Sequence, residues 1–121
     1  MRLAMSVISS VAFLAIQCCF PTPAAAQALD TPQFTSSSIA GCRGTYILDW
    51  TAVAGATSYQ LWVEFPGTTT YFLSHTVTTN DAFVHAQNAG GLTLFEVKAC
   101  DASGCGGFSS PIGLAWYNGC P

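Results

Sequence analysis

Strict alternation of apolar and polar side chains constrains this chain more than any other feature. In Thr45–Trp50, the positions Tyr46, Leu48 and Trp50 are large and apolar. In Tyr59–Phe65, the residues Tyr59, Leu61, Val63 and Phe65 share one face, with Gln60, Trp62 and Glu64 opposite. In Phe95–Ala99 the odd positions are apolar, and Glu96 and Lys98 are charged. A period of two sends successive side chains to opposite faces of an extended chain, so each segment reads as a strand with one buried face. Their β-branched and aromatic content agrees.

Turn residues separate these segments. Gly55 lies between the first two, and Pro66-Gly67 predicts a hairpin leading into a strand over Thr69–His75. Asn80-Asp81, Asn88-Ala89-Gly90-Gly91 and Gly104–Gly107 read as further turns, and a last strand is expected near Pro111–Tyr117. Beyond residue 30 no ten-residue stretch has helical periodicity. Six or seven short strands spaced by turns predict an all-β sandwich of antiparallel strands.

Composition bears on this reading only after the chain is divided. Over 121 residues, 50% are hydrophobic and 7% charged. Much of the apolar content lies at the start. Met1-Arg2 is weakly positive, Leu3–Ile16 carries no charge, Pro21-Thr22-Pro23 breaks any helix, and Ala24–Ala28 is small-residue rich. That order is the pattern of a secretory signal peptide. Cleavage after Ala26 or Ala28 would each leave Ala at the minus-one and minus-three positions. Residues 1–28 are therefore expected to be a signal peptide and 29–121 one domain, secreted or periplasmic. The apolar run of about 14 residues is shorter than the roughly 20 of a spanning helix. Ala15-Ile16-Gln17 before Cys18 is a poor lipid-attachment site.

The expected domain has two bases, Arg43 and Lys98, against six acids. It offers no basic patch for a nucleic-acid backbone and no second apolar stretch able to cross a membrane. So apolar a chain is not a disordered tail.

Two segments resemble the fibronectin type III family. Leu48-Asp49-Trp50-Thr51-Ala52-Val53-Ala54-Gly55-Ala56-Thr57-Ser58-Tyr59-Gln60-Leu61 is similar to that family's strands B and C, with a core Trp, a short Gly-Ala turn and a core Tyr. Gly91–Cys105 is similar to strand F and the F–G loop of secreted bacterial members, and Ser109-Ser110-Pro111 fits the start of strand G. The resemblance covers residues 33–117 and implies an immunoglobulin-like sandwich of about seven strands; it implies no substrate. The family's strand-F tyrosine, whose hydroxyl braces the E–F corner, aligns with Phe95, so that brace is absent or replaced. Glu96 and Lys98 stand where bases are common, and no Arg-Gly-Asp motif occurs.

The resemblance also ranks the cysteine pairings. An exported chain pairs an even number of thiols, and Cys42, Cys100, Cys105 and Cys120 allow three connectivities. In a type III sandwich Cys100 and Cys105 flank the F–G turn. Cys42 before strand B and Cys120 after strand G lie at the other end, beyond the roughly 7 Å reach of a bridge. Cys42–Cys120 and Cys100–Cys105 are therefore expected. The spacing does not suit a zinc site.

Catalytic signals are sparse. There is no Gly-x-Ser-x-Gly, His75 and His85 sit in strand-like segments, and Asp49, Glu64 and Glu96 fall on polar strand faces. Neither enzyme activity nor a cofactor or metal is expected. Trp62 is the main binding candidate. With Leu61 and Val63 inward it points out, on the sheet of strands C, C′, F and G, sharing that face with Leu94 and Tyr71, unless Lys98 covers it. Trp116 is expected to continue the inward series Ile112, Leu114. In the disulfide-braced F–G loop, Asp101 and Ser103 are further binding candidates, and a protease-inhibitor loop has only that brace behind it. The expected role is a monomeric, non-catalytic module making extracellular protein or surface contact. The alternative is a carbohydrate-binding module built around Trp62.

Overall fold

The computed structural model describes residues 28–40, 44–85 and 90–115. Cys42, Cys120, Trp116 and residues 1–27 of the expected signal peptide lie outside the described residues.

Each alternating segment forms a strand whose apolar face is buried. Eight strands follow in chain order: β1 (Phe34–Ala40), β2 (Thr45–Trp50), β3 (Ser58–Glu64), β4 (Phe72–Val77), β5 (Asp81–His85), β6 (Thr93–Asp101), β7 (Gly104–Cys105) and β8 (Ile112–Leu114). One sheet has the order β1-β2-β5; the other runs β4-β3-β6, with β7 and β8 both pairing β6, and all pairings are antiparallel. β7 and β8 are two pieces of one edge strand, which reconciles eight elements with the expected seven.

The core lies between the sheets. Tyr46, Leu48 and Trp50 from β2 meet Tyr59, Leu61 and Val63 from β3 and Phe95, Val97 and Ala99 from β6. Trp50 packs edge-on against Tyr59 at 5.7 Å, and Tyr46 against Phe95 at 5.2 Å. Such pairs add about 0.5–1.5 kcal/mol beyond the area they bury. Phe95 brings no hydroxyl to this region; the buried Tyr46 hydroxyl lies 3.4 Å from Thr93 Oγ1. The Tyr59 hydroxyl accepts the Val53 N–H at 2.9 Å and so ties the β2–β3 turn to the core.

Three boundaries differ from expectation. The strand after Pro66-Gly67 starts at Phe72, because Thr68 turns back on Phe65 through both its N–H (3.1 Å) and its hydroxyl (2.7 Å). Asp81 opens β5 rather than sitting in a turn, since Asn80 holds Trp50 by two hydrogen bonds and sets the pairing. The last described strand is confined to Ile112–Leu114. β1, rich in Ser and Thr, has no alternating signature of its own.

At one end, Leu29 crosses the β2–β3 turn and the β6–β7 loop. Its side chain packs beside Gly55, and its carbonyl oxygen stands 2.6 Å from where a Cβ on Gly106 would be.

Candidate functional site

The outer face of the larger sheet is assembled by register. Trp62 lies opposite Glu96 on β6 and Leu73 on β4, and Gln60 lies opposite Lys98. All face away from the core, as the alternation requires. Trp62 Nε1 donates to Gln60 Oε1 at 3.3 Å.

Phe108 completes the face. From Cys105 to Ile112 the edge strand advances seven residues while its partner positions, Cys100 to Phe95, advance five. The two extra residues interrupt the ladder between β7 and β8, as a bulge does. Ser109 anchors the interruption: its N–H donates to Val97 O at 2.8 Å, and its hydroxyl accepts the Val97 N–H at 3.0 Å. With Ser109 turned to the core, its neighbour Phe108 is delivered to the outer face, where it meets Trp62 edge-on at 5.7 Å.

Lys98, the only lysine in the sequence, sits over both rings. Its Nζ is 4.6 Å from the Phe108 centroid and 5.1 Å from that of Trp62. Trp62 is thus on the outer face as expected, but half-buried beneath Lys98. Phe108 remains 43% exposed, and Leu73 48%.

Tyr71 and the acids form the other side of the patch. Burial raises the Tyr71 phenol above its ordinary value, helped by the charges of Glu96 and Glu64. Burial, then Glu64, raises the Glu96 carboxyl. Both carboxylates thus act on the Tyr71 phenol, and Leu94, which pairs with Glu64, alternates onto the same outer face.

Asp101 and Ser103 are elsewhere. They occupy the β6–β7 loop, closed by the Cys100–Cys105 disulfide, which joins directly opposed residues. Ser103 donates its N–H (2.8 Å) and hydroxyl (2.7 Å) to one Asp101 oxygen. These hydrogen bonds hold the Asp101 carboxyl below its ordinary range. With Ala28 and Leu29 the loop lines a hollow of about 180 Å³. Asp101 is three residues beyond Lys98, about 10 Å along an extended strand, so the structure does not join the loop pair to the Trp62 patch.

Similar solved structures share the fold. One is a Fn3-like protein from Clostridium thermocellum, 21% identical with TM-score 0.62, over 74% of this chain and 92% of that one. Another is the sixth fibronectin type III domain of human fibronectin type III domain containing protein 3, 12% identical with TM-score 0.64, over 78% and 91%. The fold is fibronectin type III-like. In type III terms β1, β2 and β5 are strands A, B and E; β4, β3 and β6 are C′, C and F; β7 with β8 is G. A β-1,2-glucanase from Parabacteroides distasonis is also similar (18% identity, TM-score 0.64, 75% of this chain), although the chain spans only 13% of that protein. No family model matches the chain, and no curated protein matches it.

Sequence reasoning missed Phe108. Its signal was faint: a single large aromatic between Gly106-Gly107 and Ser109-Ser110. Among the described residues no helix is long and apolar enough to cross a membrane.

Proposed function

We propose that the chain is an exported type III module that binds a partner protein through the outer face of its C′-C-F-G sheet. The observation that carries this reading is Lys98 seated over both Trp62 and Phe108. The cluster holds its side chains in place before any partner arrives, which lowers the ordering cost of binding. Trp and Tyr anchors with a polar rim are the usual composition of an energetic centre in protein interfaces. Here Trp62, Phe108, Leu73 and Tyr71 would be the anchors, and Gln60, Glu64 and Glu96 the rim. Export follows from the reading of residues 1–28 as a signal peptide, and the Cys100–Cys105 disulfide suits an oxidising compartment.

A carbohydrate-binding role is the second reading. It is favoured by an aromatic patch beside carboxylates and by the similar fold within a glucanase. Sugar stacking needs an open ring face, and Lys98 occupies that of Trp62, so protein contact ranks first.

The test places a photo-cross-linking residue at position 108 and exposes the protein to extracellular material from its source, alongside a glycan array. One dominant cross-linked protein, lost in Trp62→Ala, supports the first reading. Glycan binding that Trp62→Ala abolishes replaces it with the second. Cross-linking unaffected by Trp62→Ala, with no glycan bound, rejects both.

A further inference from the structure

The sandwich has four strand edges. β1 and β5 border the smaller sheet, and β4 and the β7–β8 strand border the larger one. A free edge is a template for pairing with another chain, and a bulge blunts it. Among the described residues three of these edges carry such a break. β1 shifts register against β2 between Phe34 and Ser36. On β4, His75 opposes Leu61 and Leu73 opposes Trp62, so Ser74 is an extra residue. The last edge is interrupted between β7 and β8. β5 differs: it pairs in unbroken register, from Asp81 opposite Asp49 to His85 opposite Thr45. It contains no Pro, Lys or Gly.

The β5 sequence is self-complementary. In Asp81-Ala82-Phe83-Val84-His85, Ala82 and Val84 are buried, and the other three alternate onto the outer face of the smaller sheet. Phe83, 59% exposed, is the most exposed large apolar side chain among the described residues. Antiparallel pairing of two such strands about Phe83 sets Asp81 opposite His85 of the second copy. It also sets Ala82 opposite Val84, and Phe83 opposite Phe83. Acid then meets base twice, apolar meets apolar twice, and ring meets ring once, all pairings that stabilise neighbouring strands. A slip of one residue would oppose Phe83 to a core-facing side chain, so the register is specified.

A single chain leaves this face incomplete. Asp49 and Asp81 are directly opposed, and like charges in that position are destabilising. Ser36 donates to Asp49. Among the described residues the one Lys or Arg is Lys98, which lies on the larger sheet over Trp62 and Phe108. His85 of a second copy would bring Asp81 the basic neighbour that β2 does not supply. Ile47, opposite Phe83, would extend the joined rings into an apolar row across both sheets.

We propose that a second copy of this chain docks on β5, joining the two three-stranded sheets into one, with Asp81 of each copy against His85 of the other. A homodimer thus replaces the monomer expected from the sequence. Its two-fold axis passes between the Phe83 rings, perpendicular to the sheet, and turns both Trp62 faces to the same side. The contact uses no residue of the Trp62–Lys98–Phe108 face.

Sedimentation equilibrium of the disulfide-bonded protein, up to about 1 mM, should show monomer and dimer in exchange. Asp81→Lys opposes Lys to His85, and His85→Glu opposes Glu to Asp81, each at both symmetric contacts. Either variant alone should dimerise at least about tenfold more weakly. An equimolar mixture of the two should recover the native association, because the introduced Lys meets the introduced Glu while Asp81 meets His85. That recovery also shows that both variants fold. Phe83→Ser should weaken the dimer. Trp62→Ala should leave it unchanged, which separates failure of this proposal from failure of the contact face. A monomer throughout the concentration range, native dimerisation by either charge variant, a mixture no tighter than its components, or a dimer lost in Trp62→Ala would overturn the proposal.

Discussion

Ser109 and Val97 are bonded twice, backbone to backbone and backbone to hydroxyl. The second bond replaces a ladder partner that the strand interruption removed. Ser109→Ala would leave the Val97 N–H buried without a partner, which costs about 1–3 kcal/mol. Thermal denaturation should show a melting temperature lower by roughly 4–8 °C per kcal/mol lost. Trp62 emission should shift to the red as Phe108 loses its anchor. An unchanged melting temperature would mean the hydroxyl is dispensable.

The Cys100–Cys105 disulfide closes a short loop with a sequence separation of 5. A loop that short gives about 2 kcal/mol through chain entropy. Cys100→Ala/Cys105→Ala should therefore fold, with a lower denaturation midpoint and an unchanged slope in urea.

Lys98 over Trp62 and Phe108 is a partly solvated cation–π contact, the kind worth about 0.5–1 kcal/mol. Lys98→Met keeps the packed stem and removes the charge. It should lower stability by that amount, whereas Trp62→Ala should cost more because packing is lost as well. If Lys98→Met is neutral, the ammonium contributes only position.

Two carboxyls should respond to pH in opposite senses. The Asp101 carboxyl lies below its ordinary 3.8 because Ser103 donates to it twice. Its contribution is present above that ordinary value and is lost as pH falls through the lower, folded-state value. Ser103→Ala should bring the NMR-titrated value back up. Glu96 lies above its ordinary 4.5, through burial and then Glu64. Its charged form opposes folding once pH exceeds 4.5, and the penalty is relieved as acid protonates it. Glu96→Gln should therefore stabilise the domain at pH 7 by about 0.2–1 kcal/mol, the range for like charges on neighbouring strands. That gain should vanish in acid.

Much of the sandwich was legible because it depends on local alternation. Tyr46, Leu48 and Trp50 could face only one way once Ile47 and Asp49 faced the other, and the same holds along β3 and β6. The outward position of Trp62 followed directly. β1 was not legible, since Thr35–Ser38 are small and hydroxylated and its pairing is set by β2. Phe108 was not legible for a different reason. Its place depends on two residues inserted relative to a strand distant in sequence, and on a serine hydroxyl standing in for a backbone partner. The β4 bulge is equally non-local: nothing near Ser74 announces that it will be the residue left over.

Leu29 lies against Gly55 and Gly106, with its carbonyl oxygen where a Gly106 side chain would have to go. The chain is thereby pinned at the loop end before it enters β1. Ala28 and Leu29 line the same hollow as Asp101 and Ser103, so this end of the domain lies beside the disulfide loop. A label or solid support attached at Ala28 would therefore sit against the disulfide loop rather than on the Trp62 face.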